Sequence, residues 1–216
     1  MFIGHYGVAL AAKKCAPKTN LGILIIAASL LDLLWPILLI LGLETVRIAP
    51  GDTVVTPLEF ISYPYSHSLV MSLAYGALFG YAYFRITAYR TGGIAVFALV
   101  VSHWVLDFIS HRADMPLLPW NGWKVGLGLW NSLPATLLVE GALFAAGVWL
   151  YTKTAAPTGK MGIISLWSFV LFCVASYFGN LFGPPPPSET ALMWFAPLAW
   201  LFPLWGLWIE RTRSVK

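Results

Sequence analysis

The sequence predicts an all-α, polytopic integral membrane protein. It has about six transmembrane helices, a short N-terminal half-helix and both termini in the cytoplasm. Three observations carry this. Hydrophobic residues make up 59% of the 216 and charged residues only 10%, against ~45–50% and ~25% in soluble domains. Mean hydropathy is +0.76, more apolar surface than a globule of this size has interior to hide, and the opposite of a disordered chain. Finally, the apolar residues fall into runs long enough to cross ~30 Å of hydrocarbon.

Six such runs occur, at about 21–43, 68–88, 93–111, 134–151, 161–182 and 191–209. The first contains Asp32 and also Pro36, which should kink it. The third is weaker because it carries His103 and Asp107. Lys13, Lys14, Lys18, Arg85, Arg90, Lys153, Lys160, Arg211, Arg213 and Lys216 fall on one side of the alternating loops, and only Arg47, Arg112 and Lys124 on the other. The positive-inside rule therefore places both termini in the cytoplasm. Residues 2–12 read as a half-length helix that either lies at the inner interface or re-enters among the spans, where its backbone must be shielded. The lysines follow this stretch instead of preceding it, which is unlike a cleavable signal. The loops 44–67 and 112–133 are long, rich in Pro, Gly, Trp and Tyr, and of a length associated with lids or binding loops. The run Gly183–Ser188 reads as a stiff polyproline turn. The chain is thus one membrane domain. Residues 1–112 form a motif-bearing half, and 113–216 form an outer loop with three further spans.

The net charge of +4 does not point to nucleic acid, because the basic residues flank apolar segments and form no aromatic–basic patch. Cys15 and Cys173 show no zinc-type spacing and read as small apolar residues.

The polar residues in or near the spans carry the chemistry. An ionisable group within a span costs roughly 2.5–3.5 kcal/mol on insertion scales, so several together imply a shared polar cavity. In SHWVLDFISHR, His103, Asp107 and His111 are spaced four apart. At ~100° per residue they lie within ~80° of arc on one helix face. Imidazole and carboxylate on one face are ordinary zinc or manganese ligands. His67, in YPYSHSL, begins the second span on the same side and is a candidate ligand or acid/base. Asp32 has no cation within its own helix and is expected either to bind a cation or to act as an acid. His5 reaches the level of Asp32 only if residues 2–12 re-enter. Glu140 falls at about the depth of Asp107 and is expected to support a ligating histidine or to pair with Arg112 or Lys124.

The segments GHYGVALAAKK, SLLDLLWP, YSHSL and SHWVLDFISHR together resemble the bacterial inner-membrane metal-dependent hydrolases, a family described as LexA-binding, inner-membrane-associated hydrolases. The resemblance covers about the first 112 residues. It implies an early histidine (His5), an aspartate motif (Asp32), a histidine motif (His67) and an H-x-x-x-D helix (His103, Asp107) as the site, in the bacterial inner membrane. The chain departs from the family pattern in having Asp32 alone where two acids are usual, and Tyr63, Pro64 and Tyr65 where an arginine precedes the histidine.

The expected function is a metal-dependent hydrolase acting on a membrane lipid or lipid-linked ester or phosphoester at the outer half of the membrane. Zinc or manganese would be held by His5, Asp32, His67, His103, Asp107 and His111, with Asp32, His67 or Glu140 as general base. The alternatives are a small proton- or cation-coupled transporter and a non-catalytic protein with a structural polar core. An oligomer is compatible with either.

Overall fold

The computed structural model describes residues 1–120 and 122–216. Six helical segments are long and apolar enough to cross a membrane: Leu21–Ile40, Leu69–Thr87, Arg90–Ser110, Leu133–Thr154, Lys160–Phe182 and Glu189–Thr212. They match the six apolar runs of the sequence. Their outward faces carry Leu78, Ile86, Leu138 and Leu171, all exposed; a surface of this kind suits lipid and not water.

The chain opens with α1 (Ile3–Cys15) and α2 (Leu21–Ile40). Helix α2 starts where the Asn20 side chain accepts the Gly22 N–H at 2.8 Å, a standard cap. Pro36 lies inside it and has no N–H to give to the carbonyl four residues earlier, that of Asp32. The helix is therefore short of one rung at its acidic residue. Next come α3 (Pro64–His67), α4 (Leu69–Thr87) and α5 (Arg90–Ser110). Ser68 separates α3 from α4 with extended backbone (ψ 149°) and caps α4 through its hydroxyl. Helices α4 and α5 form a tight hairpin that turns at Ala88, which adopts the left-handed region at φ 53°. Two long helices follow, α6 (Leu133–Thr154) and α7 (Lys160–Phe182). The sixth segment is broken into α8 (Glu189–Phe195), a 3-10 turn (Ala196–Trp200) and α9 (Leu201–Thr212). Pro197 and Pro203 supply the physical reason, since neither can donate to the preceding turn.

Helix α1 packs inside the bundle against α2, α5 and α6, with Ile3, His5, Tyr6, Ala9, Leu10 and Lys13 buried. Of the two placements open to residues 2–12, this is the shielded one. The helix has no side-chain cap of its own. Glu140 of α6 provides one: its Oε2 accepts the N–H groups of Phe2 at 2.8 Å and Gly4 at 3.3 Å. At the other end, Lys13 donates to Glu210 at 2.6 and 2.9 Å and to the Thr19 carbonyl at 2.7 Å, which makes its burial tolerable. The α1–α6 contact depends on two glycines. A Cβ on Gly147 would lie 2.1 Å from the Gly7 carbonyl oxygen, and one on Gly7 would lie 2.6 Å from that of Leu143.

The loop ends are more ordered than expected from the sequence. Residues 44–67 contain a ribbon of β1 (Thr45–Ile48) and β2 (Leu58–Ser62) as well as α3. A second, shorter ribbon pairs β3 (Met115–Pro116) with β4 (Lys124–Val125). At the opposite end, β5 (Ala155–Pro157) pairs with β6 (Arg213–Val215), and Arg213 donates to the carbonyls of Gly162 at 2.9 Å and Ala155 at 2.5 Å.

Gly147→Ala should therefore force the α1 and α6 backbones apart. We expect it to lower stability by about 2 kcal/mol or more, read as the thermal midpoint in detergent. Gly141→Ala is its control on the same helix, with nothing within 4 Å of the added carbon; it should leave the midpoint unchanged or raise it.

Candidate metal centre

Four elements converge on one polar cluster. Helix α2 supplies Asp32, α3 ends on His67, and one face of α5 carries His103 and Asp107, separated by a single turn. Helix α1 adds His5. His103 Nε2 lies 3.0 Å from Asp107 Oδ2 and 3.7 Å from Asp32 Oδ1. His67 Nε2 lies 3.4 Å from Asp32 Oδ1 and 3.7 Å from Asp107 Oδ2. His103 is seven residues from the end of α5, a depth of ~10 Å below the loops at 1.5 Å per residue.

Both imidazoles are held in one tautomer from behind. His103 Nδ1 donates to the Ala28 carbonyl oxygen at 2.7 Å. His67 Nδ1 is 2.7 Å from Ser66 Oγ, and Ser66 Oγ in turn donates to Glu44 Oε2 at 2.7 Å. Each ring thus carries a proton on Nδ1, and each Nε2 faces the carboxylates, where it takes a second proton or a metal ion. His103 Nε2 is buried and makes no hydrogen bond. A buried ring nitrogen facing two carboxylate oxygens is satisfied either by a proton, as an ion pair, or by a metal ion that takes the proton's place.

The spacing fits such a cation. Two atoms each ~2.0–2.2 Å from a tetrahedral ion stand ~3.3–3.6 Å apart. The four nitrogen–oxygen distances between His67, His103, Asp32 and Asp107 run from 3.0 to 3.7 Å, around that range, and the ligand atoms of Asp32, His67 and His103 lie within 4.8 Å of one another. The planes of His67 and His103 cross at 62°, so their in-plane lone pairs can meet at one point.

His5 belongs to the cluster in a different way. Its ligand atom groups with those of His103 and Asp107 within 4.8 Å, as do those of Asp32, His67 and His103 with one another. Its ring, however, stacks on His103 at 3.8 Å with planes 1° apart. Lone pairs in parallel planes do not converge, so His5 and His103 cannot both meet one ion in this arrangement. His5 Nε2 instead lies 3.1 Å from Asp107 Oδ1, on the oxygen facing away from His103, where the amino group of Met1 also makes contact. It orients the carboxylate.

Of the residues singled out from sequence, the structure brings together His5, Asp32, His67, His103 and Asp107. Glu140 is spent on the start of α1. His111 stands apart, one turn beyond Asp107. Its Nδ1 is 3.1 Å from Asp114 Oδ1, and its ring packs between Phe60 and Trp130. Tyr63 donates to the same Asp114 oxygen at 2.9 Å, and Arg112 bridges Asp114 to Asp52. A cavity of about 400 Å³ opens beside this loop network, lined by Glu59, Phe60, Arg112, Asp114 and Lys124, and includes none of the cluster. The residue that sequence reading missed is Glu44, 1% exposed. It stands in a loop 22 positions before Ser66, and no helical or motif spacing links the two.

Exposure is uneven across the cluster. The side chains of His5, His67, His103 and Asp107 are at most 4% exposed, whereas that of Asp32 is 43% exposed. The cluster is open on the Asp32 side, which is where a reacting molecule could approach.

In the loop network, burial would raise the Asp114 carboxyl, but hydrogen bonds from His111, Tyr63 and Arg112 outweigh it and hold the group below the usual aspartate value. A carboxyl lowered on folding stabilises the fold above its unfolded pKa and loses that contribution as pH falls through the folded value. Asp114→Asn should therefore flatten the acid limb of a stability–pH profile and cost about 1–3 kcal/mol at neutral pH, both measurable by thermal unfolding between pH 3 and 8. Compared with family models, with curated proteins and with solved structures, the chain has no match in any of the three.

Proposed function

We propose that this chain is a membrane-embedded, metal-dependent hydrolase. Asp32, His67, His103 and Asp107 hold one divalent ion, zinc or manganese. The observation that carries the reading is the hydrogen bonding of two imidazoles through Nδ1, which turns each Nε2 toward the same two carboxylates. The hydrolase class rests on this donor set together with the resemblance of residues 1–112 to the inner-membrane metal-dependent hydrolases. A divalent ion held there would lower the pKa of bound water toward ~7 and would polarise an ester or phosphoryl oxygen.

The residues divide the remaining work. His103 and Asp107, fully buried on α5, fix the position of the site. His5 holds the second oxygen of Asp107 and so sets the carboxylate plane. Asp32 is the one acid with an exposed face and takes the proton of the attacking water. Tyr63 and Phe60 pack beside His67 and His111 and limit entry of bulk water from the loops. With the ten basic residues of one end placed in the cytoplasm, the site lies in the outer half of a bacterial inner membrane. Its substrate class is then a lipid or lipid-linked ester or phosphoester.

The test is metal content by mass spectrometry on the purified protein in detergent. The wild type should hold close to one zinc or manganese per chain after loading. His103→Ala and Asp107→Asn should each lower occupancy at least tenfold, whereas His111→Ala should leave it unchanged. A wild type that takes up no ion after reloading, or His103→Ala retaining one, overturns the reading. Turnover of phosphoester and lipid-ester substrates should disappear in the same two variants.

A further inference from the structure

We propose that Glu44, acting through Ser66, sets the direction of the hydrogen bond that makes His67 a ligand; this deepens the metal-centre reading above. Glu44 lies four residues past the end of α2 and is 1% exposed. Its Oε1 accepts the N–H groups of Tyr65 at 2.9 Å and Ser66 at 2.7 Å, and its Oε2 accepts the Ser66 hydroxyl at 2.7 Å. A carboxylate has only acceptors to offer, and a serine hydroxyl has a single proton. With that proton given to Glu44, Ser66 Oγ can only accept from His67 Nδ1, 2.7 Å away. A proton is thereby fixed on Nδ1, which leaves Nε2, facing Asp32 and Asp107, as the atom that can ligate an ion. Glu44 touches no reacting atom; it is a positioning residue.

The isosteric amide should reverse the chain. In Glu44→Gln the remaining carbonyl oxygen can still accept from Tyr65 and Ser66, so the backbone contacts survive. The new NH₂ group faces Ser66 Oγ and donates to it. The serine proton then turns to His67 Nδ1, the ring proton moves to Nε2, and an N–H points at the carboxylates in place of a lone pair. Removing the hydroxyl breaks the chain altogether, so Ser66→Ala should leave His67 free to take either tautomer. It should also cancel the effect of the amide.

The experiment is ¹⁵N NMR of histidine-labelled, ion-free protein in detergent micelles, with the His67 signals assigned by their loss in His67→Gln, followed by zinc loading and mass spectrometry. The wild type should show His67 with its proton on Nδ1. Glu44→Gln should move it to Nε2 and lower zinc affinity at least tenfold. Ser66→Ala should give a mixed tautomer and a smaller loss, about threefold. The double variant should return to the Ser66→Ala level, which a purely structural role for Glu44 does not produce. An unchanged tautomer in Glu44→Gln, or a double variant as impaired as Glu44→Gln, overturns the proposal. If Glu44→Gln does not fold, Ser66→Ala decides alone: a His67 that keeps its proton on Nδ1 without the hydroxyl refutes the relay. A tautomer that moves as described in a wild-type background binding no zinc supports the relay and removes the metal reading, so the two can fail separately.

Discussion

Two carboxylates close together in an apolar bundle are the constraint around which this molecule is organised. Asp32 and Asp107 reach the same two imidazole nitrogens from different helices; Asp107 also pairs with the Met1 amino group, and Asp32 has no lysine or arginine within ion-pairing distance among the described residues. Charges in such surroundings are tolerated only when paired or when they ligate a cation. The partners come from every nearby element: α1 brings His5, α3 brings His67, and α5 brings His103. The α1–α6 glycine crossing and the extended break at Ser68 are what let three of these elements approach so closely.

The supporting hydrogen bonds show the same economy. The carbonyl of Ala28, one turn before Asp32 on α2, fixes the histidine of α5. Thus α2 contributes both an acid and the acceptor that aims the opposing imidazole. Pro36 leaves the Asp32 carbonyl without its helical donor, so α2 lacks one rung at that acid. Glu44 and Glu140, each 1% exposed, bind no imidazole. Each accepts from the backbone at the start of a short helix, Glu44 at α3 and Glu140 at α1. Both are helix caps supplied from another part of the chain.

The architecture was legible because hydropathy in lipid is nearly decisive: all six apolar runs became helices, and the four-residue spacing of His103 and Asp107 placed both on one face. His67 was expected near that face from its side of the membrane, and Asp32 from its lack of a cation within its own helix and from the family resemblance. What could not be read were contacts with no spacing rule. Glu140 shares a depth with Asp107, yet whether it met a histidine or a helix start depended on how closely α1 approaches α6, and that is set by Gly7 and Gly147. His111 continues the periodicity of Asp107, but the helix ends at Ser110, and the loop carries the histidine to Asp114. Glu44 lay in a segment with no visible pattern, because a two-stranded ribbon with mixed burial gives no clean alternation.

The cap on α1 has a consequence for how the protein is made. Every residue of the cluster lies in the first 107 positions, yet the helix carrying His5 has its opening N–H groups satisfied by residue 140, on a helix synthesised later. During membrane insertion the first half of the chain must wait, with α1 uncapped and the two acids unshielded on one side, until α6 arrives. Completion of the polar cluster is thus coupled to completion of the bundle.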